Sequence, residues 1–389
     1  MSPIRPRLAR RRASRAVTTR PTLHDTSTPQ TTGTPQTTGT PQTTGASNGV
    51  TIAHLSDCHL PNVRGYWPRY WNVKRTLGWL NWTVKRRVIH QHSAIEAMLA
   101  DIAAHAPDHI AITGDLVNIG LPTEYEAARD WLTSVGPPDR VSVVPGNHDI
   151  YVDPEGANGT ALWRAYMTSD AFGTSIGGVR VDGVQAGGIQ VTPWYRDAFP
   201  YVRRIGPAVL IGVNSSHPTA IGYAGGTVGP AQRERLGRIL EATREAGLAR
   251  IVMIHHPPVR WLASPRRALS YVGDVEPLIA RHGAELVLHG HNHVVSDEKI
   301  SGEETRTDEN GTGGDQSVRV LGIGSASAEY PYKHEPRACW RLIRIAREPA
   351  SGGFAITCEL RGYQNYGDEV QTIGTTEFLS STLTSKPTS

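Results

Sequence analysis

Three features of the chain predict an α/β layered fold. Short apolar strands alternate with helical apolar periods from Val50 onward, a polar cluster follows one strand after another, and a repetitive polar stretch is confined to the first 49 residues. The alternation puts the polar clusters on loops at strand ends, where α/β folds carry their functional residues.

Residues 50–55 (Val-Thr-Ile-Ala-His-Leu) read as the first strand. Ile95, Met98, Leu99 and Ile102 recur at helical spacing over 93–105, and a strand follows at 109–113. A helix is expected over 124–135, then strands at 141–144 and 208–213. A helix over 230–246 starts with Pro230 near its first position, where the missing N–H costs nothing. Strands at 250–254 and 285–289 follow. Residues 301–317, rich in Gly, Glu and Asp, predict a mobile loop, and 318–362 alternates like strands. These elements divide the chain into a tail at 1–49, one domain at 50–365 and a polar, fraying C-terminal tail at 366–389.

The N-terminal tail explains most of the unusual composition. The chain has 389 residues, 38% of them apolar, and a formal charge of +4. Residues 1–49 hold seven Arg against the single acid Asp25, a net +6, which leaves −2 for the rest. The folded part is therefore not basic, which argues against a general nucleic-acid footprint. Thr-Pro-Gln-Thr-Thr-Gly repeats three times over 28–45, too polar to pack and far too short a period for a solenoid. Three cysteines (Cys58, Cys339, Cys358) make no disulfide framework and fit a reducing compartment. No apolar run is long enough to span a bilayer, and the basic N-terminus lacks the apolar core of a secretory signal. The expected location is cytoplasmic, with peripheral membrane contact as an open option.

Five polar clusters carry the chemistry: Asp57-Cys58-His59, Gly114-Asp115, Gly146-Asn147-His148-Asp149, His255-His256-Pro257-Pro258 and Gly290-His291-Asn292-His293. Each alone is weak. Together they offer carboxylates, an amide oxygen and imidazoles without thiolates, a donor set for Mn, Fe or Zn rather than for a structural zinc knot. If Asp57 and His59 continue the strand, their side chains share a face while Cys58 points away as a small buried hydrophobe. His291 and His293 fit the same argument or a loop. Gly146 and Gly290 are expected to let the backbone turn sharply beside the metals.

This ordered set resembles the calcineurin-like metallophosphoesterase superfamily, most of all the bacterial class III cyclic-nucleotide phosphodiesterases, over residues 50–295. The resemblance implies two stacked mixed β-sheets flanked by helices, a four-layer sandwich. It implies two divalent or mixed-valence metal ions, one bound by Asp57, His59, Asp115 and His293. The other would be held by Asp115, Asn147, His255 and His291, with Asp115 bridging and His256 in reserve. His148 would act on the phosphate as proton donor or charge stabiliser, oriented by Asp149, and Asn118 is a further contact candidate. The implied activity is hydrolysis of a small phosphodiester by in-line attack of a metal-activated water. A non-catalytic metal-binding scaffold is the rival of another class, and the presence of every implied ligand and of His148 counts against it.

Residues 61–92 depart from the pattern as an insertion between the first two clusters. They hold Trp67, Trp71, Trp79 and Trp82, seven cations and no acid, and Val73, Leu77, Leu80, Val84 and Val88 form an apolar helical stripe. Following His59 directly, the segment must begin beside the metals. Three readings stay open. It could be a cap that packs its stripe on the domain and aims cations at an anionic substrate. It could be an interfacial helix on a membrane. It could be an ordinary surface helix with buried aromatics and solvated cations. The membrane reading would make a lipid-linked phosphate or a nucleotide-lipid pyrophosphate an alternative substrate.

Overall fold

Alternating inward and outward side chains along the strands build two sheets that share a core. The structure, a computed structural model, describes residues 49–61, 63–152, 159–180, 198–270, 272–301, 317–350, 352–365 and 367–380. The tail reading for 1–48 and the loop reading for 302–316 lie outside the described residues.

In chain order the strands are β1 Gly49–Leu55, β2 His109–Ile112, β3 Val141–Val143, β4 Tyr201–Ile205 and β5 Ala208–Gly212. Next come β6 Gly226–Thr227, β7 Ala249–Met253, β8 Leu269–Ser270, β9 Leu286–His289 and β10 Ser296–Ile300. The last are β11 Val318–Gly322, β12 Cys339–Arg347, β13 Phe354–Gly362 and β14 Gln371–Ser380. The first sheet has the order β14-β13-β12-β1-β2-β3 and the second β10-β11-β9-β7-β5-β4, while β6 and β8 form a small ribbon. Both large sheets are mixed. β1, β2 and β3 run parallel with β12 antiparallel to β1, and β5, β7, β9 and β11 run parallel between antiparallel edges.

The flanking helices include α1 Val73–Asn81, α2 Arg87–Ile89, α3 His92–His105, α4 Pro122–Val135, α5 Ala171–Ser175, α6 Pro230–Glu245 and α7 Val272–His282. One buried cluster joins Ile52 and Ile343 of the first sheet to Leu210, Ile251, Met253, Leu286 and Leu288 of the second. The intervening residues Val209, Ile211, Val252 and Val287 point the other way and pack with Leu236 and Leu240 of α6 and Ile279 of α7. This period of two is what stacks the sheets and still covers their outer faces. Each fully buried aliphatic side chain contributes about 1.5–3 kcal/mol. Because β1, β2, β3, β7 and β9 sit in parallel ladders, the loops at their carboxyl ends collect along one edge of the sandwich. Cys58 is buried among apolar neighbours.

One expectation is corrected. The segment after Gly367 does not fray over its whole length. β14 pairs with β13 from Phe354↔Ser380 to Gly362↔Gln371, and Phe378 packs on the core. Its Thr-rich side chains are mostly exposed, so an edge strand held by backbone hydrogen bonds looks in sequence like a polar tail.

The insertion presents its apolar stripe outward. Asn72 caps α1 by accepting the Arg75 N–H, and a π-helical turn at Trp82–Arg86 links α1 to α2. Lys74 Nζ donates to the carbonyls of Tyr151 (2.6 Å) and Thr219 (2.8 Å), and Arg75 donates to Gly120 O (2.8 Å). Burial brings the Lys74 ammonium down to about 8. Trp79, Trp82, Tyr66 and Tyr70 cover the small apolar patch of Val63, Ile119 and Leu121. Carbonyl acceptors and that patch thus hold the cation-and-tryptophan side of the helix, and the aliphatic stripe is left in solvent.

Candidate metal centre

The five clusters converge at the carboxyl ends of the strands. Asp57, His59, Asp115 and Asn147 come from loops of the first sheet, and His255, His291 and His293 from loops of the second. All seven are buried. β1 ends at Leu55, so Asp57 and His59 do not share a strand face as the sequence suggested. They sit in a loop with left-handed backbones (φ 52° and 38°). Asp115, His291 and His293 are also left-handed (φ 58°, 69° and 56°). Among the described residues only Ala106 and Lys333 join them as non-glycine residues with positive φ. Each such residue costs of order 1–3 kcal/mol, and that strain is concentrated on the candidate ligands.

The two glycines act by close approach. Neither Gly146 nor Gly290 has a positive φ. A side chain at Gly146 would overlap the Asp115 carboxylate, and one at Gly290 would overlap Ser56 and Asp57.

Each of the four imidazoles is pinned through one nitrogen and aims the other into the cluster. His59 Nδ1 meets Val117 O (3.3 Å), His255 Nδ1 meets Thr113 O (2.6 Å), His291 Nε2 meets Arg267 O (2.9 Å) and His293 Nδ1 meets Glu335 Oε2 (3.0 Å). An oxygen acceptor fixes the proton of the neutral ring on the pinned nitrogen, so that its lone pair faces inward, the usual support of a metal-binding histidine. The inward atoms meet one another. His59 Nε2 lies 3.2 Å from His293 Nε2 and 3.8 Å from Asp115 Oδ2, and His293 Nε2 lies 3.1 Å from Asp57 Oδ1. On the other side, Asn147 Oδ1 lies 3.2 Å from His255 Nε2 and 2.8 Å from His291 Nδ1, and Asp115 Oδ2 is 3.5 Å from His255 Nε2.

Carboxylates and imidazole lone pairs brought this close, without thiolates, fit a pair of hard or borderline cations. The electrostatics agree. Burial would lift Asp115, yet the His255 and His148 imidazoles hold it well below the carboxylate range. Burial would lower His255 and His293, yet Asp115 raises the first and Asp57 the second, each to about 9. The buried carboxylates thus draw positive charge to their neighbours.

His255 and His256 are separated cleanly. His256 spends Nδ1 on Ser215 Oγ (2.8 Å) and Nε2 on Ala224 O (3.1 Å), away from the cluster. His255→Ala is expected to lower metal content by one ion, and His256→Ala to leave it unchanged, as measured by metal analysis of the purified variants. Loss on His256→Ala alone would reverse the assignment.

Asp149 is not where the sequence placed it. Its Oδ1 accepts the N–H groups of Leu116 (2.8 Å) and Val117 (3.1 Å), and its Oδ2 those of Asp115 and Gly146 (both 2.8 Å). It clamps two ligand loops together and does not touch the His148 ring. The group orienting His148 is the backbone carbonyl of Asn118, 2.5 Å from Nδ1. The Asn118 side chain turns away, with Nδ2 on Leu60 O.

Two residues of the insertion reach the site. Arg86 places Nη1 2.9 Å from His148 Nε2 and Nη2 2.7 Å from His59 Nε2. His90, held by Ser327 Oγ, adds an imidazole nitrogen to the His59 and His293 group. Arg86, Lys85 and Asn81 wall a pocket whose floor includes Asp115, His148 and His293. Of the two parts of the cap reading, one cation does point into the site, whereas the stripe does not pack on the domain. Periodicity reveals a stripe but not which side of the helix faces inward, and His90 carried no signal of its own.

A family model described as calcineurin-like phosphoesterase matches residues 50–295. A probable cyclic nucleotide phosphodiesterase of a Synechococcus species is 26% identical over 200 residues, covering 51% of this chain and 62% of its own length. The chain therefore spans less than two thirds of that relative. Among solved structures, a dimetal phosphatase from Danio rerio has a TM-score of 0.49 at 12% identity, over 83% of this chain and 98% of its own. The NAD nucleotidase of Haemophilus influenzae has a TM-score of 0.42 at 13% identity, over 84% of this chain and 54% of its own.

Proposed function

The chain belongs to the calcineurin-like phosphoesterase family, a family of hydrolases of phosphoester bonds, and on that premise we propose that it cleaves a small phosphodiester, a cyclic nucleotide being the leading candidate. The observation that carries the reading is the convergence of four pinned imidazoles, two carboxylates and an amide oxygen beside a basic pocket wall. Asp57, His59, Asp115 and His293 would hold one cation, and Asp115, Asn147, His255 and His291 the other. When bound, such a pair supplies Lewis acidity toward a phosphoryl oxygen and acidifies a water for in-line displacement.

The residues around the pair then divide the remaining work. Asp149 and the left-handed loops fix the ligands before substrate arrives, so little reorganisation is needed on binding. The Asn118 carbonyl fixes the proton of His148 on Nδ1 and turns Nε2 toward the pocket. Burial and then Arg86 hold His148 down to about 4, so it meets the substrate as a neutral ring. A phosphoryl anion beside it reverses the local field and favours taking up a proton that the leaving oxygen can receive. Arg86 offers a guanidinium that stays charged and can donate two parallel hydrogen bonds to phosphoryl oxygens. The description of the Synechococcus relative supports a diester over a monoester.

Full-length protein loaded with Mn²⁺ should hydrolyse cyclic nucleotides and an aryl diester faster than an aryl monoester. A consistent preference for the monoester would overturn the diester reading. Arg86→Ala should lower kcat/KM by about 10–100-fold, the range expected for one hydrogen-bonded charge, with metal content unchanged. Unaltered kinetics would remove Arg86 from the substrate site.

A further inference from the structure

We infer that the outward face of the 61–92 insertion is a docking surface for an anionic lipid bilayer. A helix on a water-soluble domain ordinarily buries its apolar stripe and exposes its cations. Here the stripe is exposed, while three of the seven cations turn inward. Lys74, Arg75 and Arg86 turn inward onto carbonyls and imidazoles. Val73, Leu77, Leu80, Val84 and Val88, with Trp67 and Trp71 ahead of them, are 46–71% exposed. These seven are more than half of the thirteen large apolar side chains exposed among the described residues, so they form a patch and not the usual scatter.

The charges around the patch select the occupant. Arg64, Arg69, Lys85 and Arg87 are exposed in the same segment, and residues 61–92 contain no Asp or Glu. Aliphatic side chains, tryptophans and cations without acids suit the boundary between headgroups and acyl chains of an anionic membrane. A second copy of the chain fits poorly, because a two-fold interface would bring these cations against their own kind. A neighbouring loop adds exposed apolar side chains. The 217–224 loop, tied to α1 by the Lys74–Thr219 bond, exposes Ile221 and Tyr223, with Arg266 over the Tyr223 ring at 5.8 Å. Lys85, exposed next to Val84, also lines the pocket, so a bilayer docked on the stripe would lie near the mouth of the site.

The test is co-sedimentation of the full-length protein with phosphatidylcholine vesicles, with and without phosphatidylglycerol. The protein should pellet with the anionic vesicles, and added salt should weaken this. Leu77→Ser, Leu80→Ser and Val84→Ser together should reduce partitioning roughly a hundredfold, through lost apolar contact with the bilayer. Arg69→Gln with Arg87→Gln should reduce it about twentyfold, or roughly fivefold per cation. Both variants should unfold at the parent's denaturant midpoint, which a packing role for the stripe would lower. Three results overturn the proposal. One is a parent that pellets no better with phosphatidylglycerol than without it. Another is a triple-serine variant that binds as the parent does, which would trace binding to the arginines of residues 1–20. The third is a parent dimer that the same serines dissociate, which would mean a second copy covers the face.

Discussion

Asp115→Ala is expected to yield a folded protein that holds at most one metal ion tightly and turns over a diester about a thousandfold more slowly, the several kcal/mol that paired cations contribute at a phosphoryl centre. The reason lies in its position. Asp115 Oδ2 is 3.8 Å from His59 Nε2 and 3.5 Å from His255 Nε2, so it belongs to both halves of the donor set. Its Oδ1 accepts the His148 N–H at 2.7 Å, so it also anchors the loop that carries His148 and Asn147. Removing it leaves two sets of imidazoles with one fewer anion and no shared ligand. Asp115→Asn keeps the shape and the hydrogen bond but not the charge. It should therefore separate the electrostatic loss from the loss of the anchor. Metal analysis and initial rates on the two variants check the assignment, and two tightly held ions with full turnover in Asp115→Ala would sink it.

The second large effect falls on stability. Asp149→Ala leaves the backbone N–H groups of Asp115, Leu116, Val117 and Gly146 without their acceptor in a buried setting. An orphaned buried donor costs about 1–3 kcal/mol, so four of them should cost at least about 4 kcal/mol, a large part of a domain's total stability. The midpoint of urea unfolding should drop sharply, and expression with it. If Asp149 merely oriented His148, the variant would instead unfold like the parent and lose only turnover. The two outcomes are distinct, and the observed hydrogen bonds favour the first.

How far the site could be read in sequence depends on the range of the interaction. Asp57, His59, Asp115, Asn147, His255, His291 and His293 are recognisable because each lies in a short cluster after a strand, and strand ends collect on one edge of a layered fold. Their backbone shape is not recognisable. Left-handed φ angles at Asp57 and His59 arise from contacts with residues 114–117, such as the Asp57 N–H bond to Gly114 O, and strand alternation cannot anticipate them. Three of the four N–H groups that Asp149 accepts lie more than thirty residues upstream, so its neighbour His148 is the partner that the sequence suggests. Arg86 and the outward stripe show the same limit. A period of 3.6 finds the two faces of a helix, but the carbonyls at 120, 151 and 219 and the apolar patch around Ile119 decide which face turns inward. β14 escaped notice because its polar side chains contribute little and its ladder with β13 contributes most.

The division of the ligands between the sheets has a mechanical consequence. One sheet supplies the carboxylates and the amide, and the other supplies three of the four pinned imidazoles, while the core between them is an apolar seam with no covalent bridge. The three described cysteines are free. A cation gripped from both sides would work as a rivet across that seam. Separating the sheets would then require breaking coordination bonds as well as exposing apolar surface. The metal-free and metal-loaded forms would thus differ chiefly in how readily the sandwich opens along its middle, at the end where the loops meet. The strained loops lie at that same end, so such a grip would add to the backbone bonds that already hold the candidate ligands in their left-handed conformations.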